Sequence, residues 1–214
     1  HGATAAAITM TGDPRRWPSE PSAVGMVKFW GPYPYRSAFH AADEAEESER
    51  ALQHLADVIM VEGAATIAAI VLESVVGTNG ILVPPPGYLQ GVRDLCDRHG
   101  IMMICDEVMA GFGRCGEWFA VDHWNVTPDL ICFAKGVNSG YVPLGGVIIS
   151  RAIADTFKER VYPGGGTRMP LVPTTDSSTI AAMVGAPSTM ITSARCWSAR
   201  SDSSASSAAW KADR

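Results

Sequence analysis

Ile101-Met-Met-Ile-Cys-Asp-Glu-Val108 is the stretch that decides the fold. Its first five residues are apolar without a break, which suits a strand buried inside a sheet and not one with a wet face. The run closes on Asp106. It is entered from an amphipathic pattern over Tyr88 to Arg98, whose end is marked by His99-Gly100, a plausible helix C-cap. A helix that feeds a buried strand is one step of an α/β fold.

The same step recurs on either side. Ala45 to Val61 places Leu52, Leu55, Val58 and Ile59 at helical spacing, with Glu44, Glu46 and Glu47 in the first turn, where the helix dipole favours acids. Ile67-Ala-Ala-Ile-Val-Leu72 follows and ends in Glu73, as expected of a strand covered on both faces. Leu130 to Phe133 and Leu144 to Ile149 are further strands. Upstream, Thr11 to Phe39 is rich in Pro, Gly and aromatic residues, among them Trp17, Trp30, Tyr33 and Tyr35. It reads as a long surface excursion ordered by packed rings. From Asp176 onward Ser and Ala dominate and no helix or strand face can be drawn; Ser201-Asp-Ser-Ser-Ala-Ser-Ser207 is low complexity. We expect residues 1–165 to be part of one large domain. Residues 166–214 are expected to be a divergent tail, disordered or the product of an out-of-frame read, and the start on His1 reads as that of a fragment or processed piece.

Composition removes several classes. With 214 residues and 47% hydrophobic content the chain can bury the core of one domain or much of one. A formal net charge of −5 and the lack of a dense basic run argue against a nucleic-acid face. Five cysteines occur without a CxxC pair; Cys105 and Cys132 lie in apolar runs and read as small hydrophobes, which favours the reducing cytoplasm. No signal peptide or membrane-spanning run is evident. His99, His123, Cys96, Cys105 and Cys115 do not make a metal-ligand spacing. Gly111-Phe-Gly-Arg-Cys-Gly116 has the glycine spacing of a dinucleotide loop, but no helix clearly follows it.

Chemistry collects at the carboxyl ends of the strands, where α/β sheets carry their sites. Glu73 and Asp106 end two strands, and Lys135 stands just past a third in Leu130-Ile-Cys-Phe-Ala-Lys-Gly136. Taken singly, such an acid is more often a cap and such a lysine a solvated charge. Taken together they suit pyridoxal phosphate, which needs an amine to hold its aldehyde and a carboxylate to keep its ring nitrogen protonated. Val108, two residues past Asp106, is placed to press on the ring.

The flanks carry a resemblance. Asp106-Glu-Val-Met-Ala-Gly-Phe-Gly-Arg-Cys-Gly116, Pro128-Asp-Leu130, Phe133-Ala-Lys-Gly136 and Pro143-Leu-Gly-Gly146 resemble, in order and spacing, the class III pyridoxal-phosphate-dependent aminotransferases. The likeness runs from His1 to about Gly165. Gly136 to Val147 is most similar to the omega-amino-acid:pyruvate and taurine:pyruvate branch. The resemblance implies a fold type I large domain, a mostly parallel sheet flanked by helices. It also implies a homodimer, and transfer of an amino group from an amine or omega-amino acid to a 2-oxo acid such as pyruvate. By the same resemblance Lys135 is the catalytic lysine that holds the cofactor, Asp106 pairs with the ring nitrogen and Val108 packs on one ring face. His1-Gly2 match the end of a Tyr-His-Gly motif whose tyrosine stacks on the other face. Glu73 matches a glutamate near cofactor and substrate. Thr167 falls where a threonine binds phosphate across the dimer, although Arg168-Met-Pro-Leu departs from the pattern after it. Met109 stands where many members have a glutamine. The phosphate-cradling loop lies upstream of the Tyr-His-Gly motif and the small C-terminal domain gives way to the Ser/Ala tail, so very low transaminase activity is expected of this chain alone. Two other readings stand beside this one: a decarboxylase or mutase on the same scaffold, and an inactive remnant.

Overall fold

The computed structural model describes residues 2, 4–20, 23–160, 179–181 and 192–195. Its elements in chain order are α1 (Ala5–Met10), β1 (Met26–Lys28), α2 (Glu44–Glu62), β2 (Ile67–Glu73), α3 (Tyr88–His99), β3 (Met102–Asp106), β4 (Leu130–Phe133), β5 (Gly146–Ile149), α4 (Arg151–Arg160), β6 (Thr179–Ala181) and β7 (Thr192–Arg195).

Local chemistry sets the boundaries of the two long helices. Asp43 caps α2, its carboxylate accepting from the Glu46 amide at 2.9 Å, and three acids occupy the first turn. Gly100 ends α3 with φ +63°, a left-handed conformation that glycine adopts without steric cost. Leu55 and Ile59 of α2 and Leu89, Val92 and Leu95 of α3 close over Ile70, Leu72, Met103 and Cys105 of the sheet to form the main core. Leu55 is fully buried there. Leu55→Ala is therefore expected to cost about 2–5 kcal/mol, the usual range for emptying a packed leucine site, read as a lower urea midpoint with an unchanged slope.

One sheet joins the strands in the order β1-β7-β2-β3-β4-β5-β6. It is mostly parallel in strand direction: β1, β2, β3, β4 and β6 run one way and β5 and β7 the other. Parallel pairing is confined to β2-β3-β4, and the outer pairs are antiparallel. β6 and β7 fall within the Ser/Ala-rich segment, where the sequence shows no strand pattern. Backbone pairing along a sheet requires no alternation of side chains, so that segment carries no periodicity to read. Thr167, expected at the phosphate, lies outside the described residues, as does most of 166–214.

Two expectations change in detail. α2 and α3 pack on one face of β2 and β3, and the opposite face, with Val71, Ile104 and Cys132, stays half-buried. That second face is the one to which Glu73 and Asp106 belong. The excursion before α2 is held partly by rings: Trp30 meets Phe39 edge-on at 6.4 Å, and Phe39 meets His54 at 5.6 Å. Trp17 and Tyr35, however, are exposed. Buried Glu47 of α2 supplies what the rings do not, accepting from the Tyr33 amide at 2.7 Å and from the Ser37 hydroxyl. Among the described residues no helix is long and apolar enough to cross a membrane.

Candidate active site

Register puts the chemistry in one row. Glu73 pairs with Asp106 across β2 and β3, and Asp106 pairs with Cys132 across β3 and β4. Paired residues on neighbouring strands share a face, so the three side chains stand side by side at the carboxyl edge of the parallel core. Lys135 follows the row by one turn of chain. Its backbone φ is +45°, a left-handed conformation that a non-glycine residue holds at a cost of about 1–3 kcal/mol and only under firm packing. That packing is Gly136: a Cβ there would come within 2.9 Å of Phe112 Cβ and 3.3 Å of the Gly111 carbonyl. Phe112 in turn meets Phe119 and Phe133 edge-to-face, each at 5.5 Å. The loop after β3 thus seats directly on the residue that follows the lysine.

Electrostatics favours a reactive amine. Partial burial lowers the Lys135 pKa from the ordinary lysine value, Asp106 and Glu73 pull it back up, and Arg114 pushes it down. A lowered pKa raises the fraction of neutral, nucleophilic amine near pH 7. Asp106 is buried, and one of its oxygens, Oδ1, accepts from the Val108 amide at 3.0 Å. The chain turns there, so Val108 is placed by that bond and not by strand alternation; it is itself buried. Glu73 Oε2 accepts from the Gly77 amide at 2.8 Å. Met109 lies over Gly77, where an added Cβ would sit 2.8 Å from Met109 Cβ.

The structure therefore brings Lys135, Asp106, Val108 and Glu73 together. Gly2 is buried with φ +68°, and His1 lies outside the described residues. Cys96 and Cys105 are buried and Cys132 is half-buried. Burial pushes the Cys132 thiol up to about 12, Cys96 to about 12, and Cys105 higher still. A cavity of about 290 Å³ lined by Gln90, Arg93, Asp97 and Asp129 is at the other end of the strands. There Arg93 bonds Asp129 at 2.8 Å and ties α3 to the start of β4.

Two residues escaped the sequence reading. Arg114 was given no role by the sequence, and its charge reaches Lys135. Glu107 is fully buried and accepts from the Ser74 hydroxyl and from the Ala120 and Val121 amides, each amide at 2.9 Å. An acid directly after Asp106, in an otherwise apolar context, was the available signal. Burial pushes its carboxyl up, and the three donors partly reverse that.

The donor set fits pyridoxal phosphate: a half-buried amine of lowered pKa beside a buried carboxylate, on the edge of a parallel sheet. Comparison with known proteins points the same way. The model of the family described as "Aminotransferase class-III" matches residues 1–171. The taurine–pyruvate aminotransferase of Bilophila wadsworthia is 35% identical over 73% of this chain and 34% of its own length. The omega-aminotransferase of Caulobacter vibrioides is 46% identical over 50% of this chain and 25% of its own length. The crystal structure of the taurine:2-oxoglutarate aminotransferase of Bifidobacterium kashiwanohense, in complex with PLP and glutamate, superposes with a TM-score of 0.72. It is 48% identical and covers 78% of this chain and 38% of its own. The chain spans about a third of the length of such curated relatives.

Proposed function

The chain belongs to the class III aminotransferase family, whose cofactor is pyridoxal phosphate, and from that premise we propose that it carries the lysine-bearing part of a transaminase site. The observation that supports this reading best is Lys135, held in a left-handed turn with a lowered pKa beside buried Asp106. In this reading residues 1–165 are part of the large cofactor domain and residues 166–214 a divergent tail.

Lys135 Nζ would hold the cofactor aldehyde and is the group placed to move a proton at the substrate carbon. Asp106 would hold the ring nitrogen in its protonated form, and Val108 would bear on one ring face. Glu73 stands at the substrate side, while His1, Gly2 and Thr167 belong to the site by resemblance. Bound pyridoxal phosphate supplies the electron sink for the bond that breaks. The donor is an amine or omega-amino acid and the acceptor a 2-oxo acid such as pyruvate; the names of the relatives in Bilophila and Caulobacter support that class. Two copies of the intact protein form the working unit. Free Cys96, Cys105, Cys115 and Cys132 support a place in the cytoplasm.

The test is a panel of amines and omega-amino acids offered with pyruvate and pyridoxal phosphate to the purified chain. Donor-dependent alanine is the expected product, at a low rate. Carbon dioxide release without alanine would overturn the reading in favour of a decarboxylase.

A further inference from the structure

Glu107 lies between the two residues assigned to the cofactor ring, and both its backbone and its carboxylate are engaged. Its amide donates to the Cys132 carbonyl at 2.8 Å, and its carbonyl accepts from the Gly111 amide at 2.8 Å. Its carboxylate takes the Ser74 hydroxyl, which immediately follows Glu73, and the amides of Ala120 and Val121. One fully buried residue thus joins the ends of β2 and β4, the loop that seats on Gly136 and the turn at 120–124.

We infer that Glu107 is a positioning residue whose carboxylate fixes Asp106 and Val108 for the cofactor ring. The geometry is the reason. Asp106 ends a strand and its Oδ1 orientation is set by the Val108 amide, so the path of the chain from 106 to 108 determines where the carboxylate points. That path is pinned at its middle residue on three sides. Three donors converge on two carboxylate oxygens; an amide in their place offers one oxygen and turns an N–H₂ toward a donor. A buried network left half-satisfied loosens at every member. The cofactor part of this inference rests on the function proposed above, and the Asp106 part does not.

The experiment is residue-resolved amide exchange on the full chain without cofactor, comparing Glu107→Gln with the parent. The Val108 amide is not bonded to Glu107 and reports Asp106 directly. Its protection is expected to fall about tenfold, together with that of Ala120 and Val121, the ordinary scale of one hydrogen bond lost from a buried network, while the Leu55 and Ile59 amides of α2 keep theirs. Loss at Ala120 and Val121 with Val108 unchanged would overturn the inference and leave Glu107 a staple for the turn. If Glu107→Gln does not fold, Ser74→Ala removes one donor only. A several-fold loss at Val108 is then expected, and none would be contrary. A second readout is the dissociation constant for pyridoxal phosphate in Asp106→Asn, Glu107→Gln and the double variant. A residue acting through Asp106 gives sub-additive losses, and additive losses would contradict it. A parent chain that takes no cofactor would sink the functional reading, with the Val108 amide still deciding the role of Glu107.

Discussion

Lys135→Ala is expected to reduce capture of pyridoxal phosphate to the background of the surface lysines, with the fold intact. Lys135 is half-buried, and its amine pKa is lowered chiefly by that burial. Capture requires the neutral amine, so labelling falls as pH drops through the amine's pKa. For Lys135 that fall comes at lower pH than for exposed lysines, which gives a window below the ordinary lysine pKa in which it reacts and they stay protonated. The substitution removes the amine and leaves the left-handed strain in place, since alanine also carries a Cβ. Unfolding in urea should therefore change little, and absorbance of the bound cofactor should vanish. Loss of the folded baseline along with the cofactor would mean that the lysine is structural.

Asp106→Asn is expected to weaken pyridoxal phosphate binding by about tenfold to a hundredfold, the scale of a charge-assisted hydrogen bond turned neutral. The change has a second consequence of opposite sense. Asp106 is the largest influence holding the Lys135 pKa up. Without that negative charge the amine pKa falls further, and the labelling profile of Lys135 moves to still lower pH. Weaker binding with a more easily neutralised lysine is a combination that general unfolding does not produce, since unfolding returns the lysine toward its ordinary value. An unchanged profile would show that the two charges do not interact.

Much of the frame is legible because it rests on local signals. Apolar runs at 67–72, 101–105 and 130–133 become β2, β3 and β4 within a residue, and the Asp43 and Gly100 caps bound α2 and α3. The neighbourhood of Asp106 and Lys135 is legible for the same reason: strand ends are visible in sequence, and strand ends are where this architecture places chemistry. The sheet edges are not legible. β1, β6 and β7 are short, and such strands, β1 and β6 at the edges and β7 between β1 and β2, pair through backbone and not composition. Glu107 was missed because its partners, Ser74, Ala120 and Val121, are distant in sequence. A second acid after an apolar run is visible at 107, but not the three donors that converge on it. Gly136 is a milder case, a glycine whose need comes from Phe112 across the site.

The most direct test of the central claim is borohydride reduction of the purified chain with pyridoxal phosphate, followed by peptide mass mapping. A phosphopyridoxyl adduct confined to Lys135 is predicted, because it combines partial burial with flanking carboxylates on the strand edge, whereas Lys28 is exposed. Label spread evenly over Lys28, Lys135 and the other lysines, or no label at all, would contradict it.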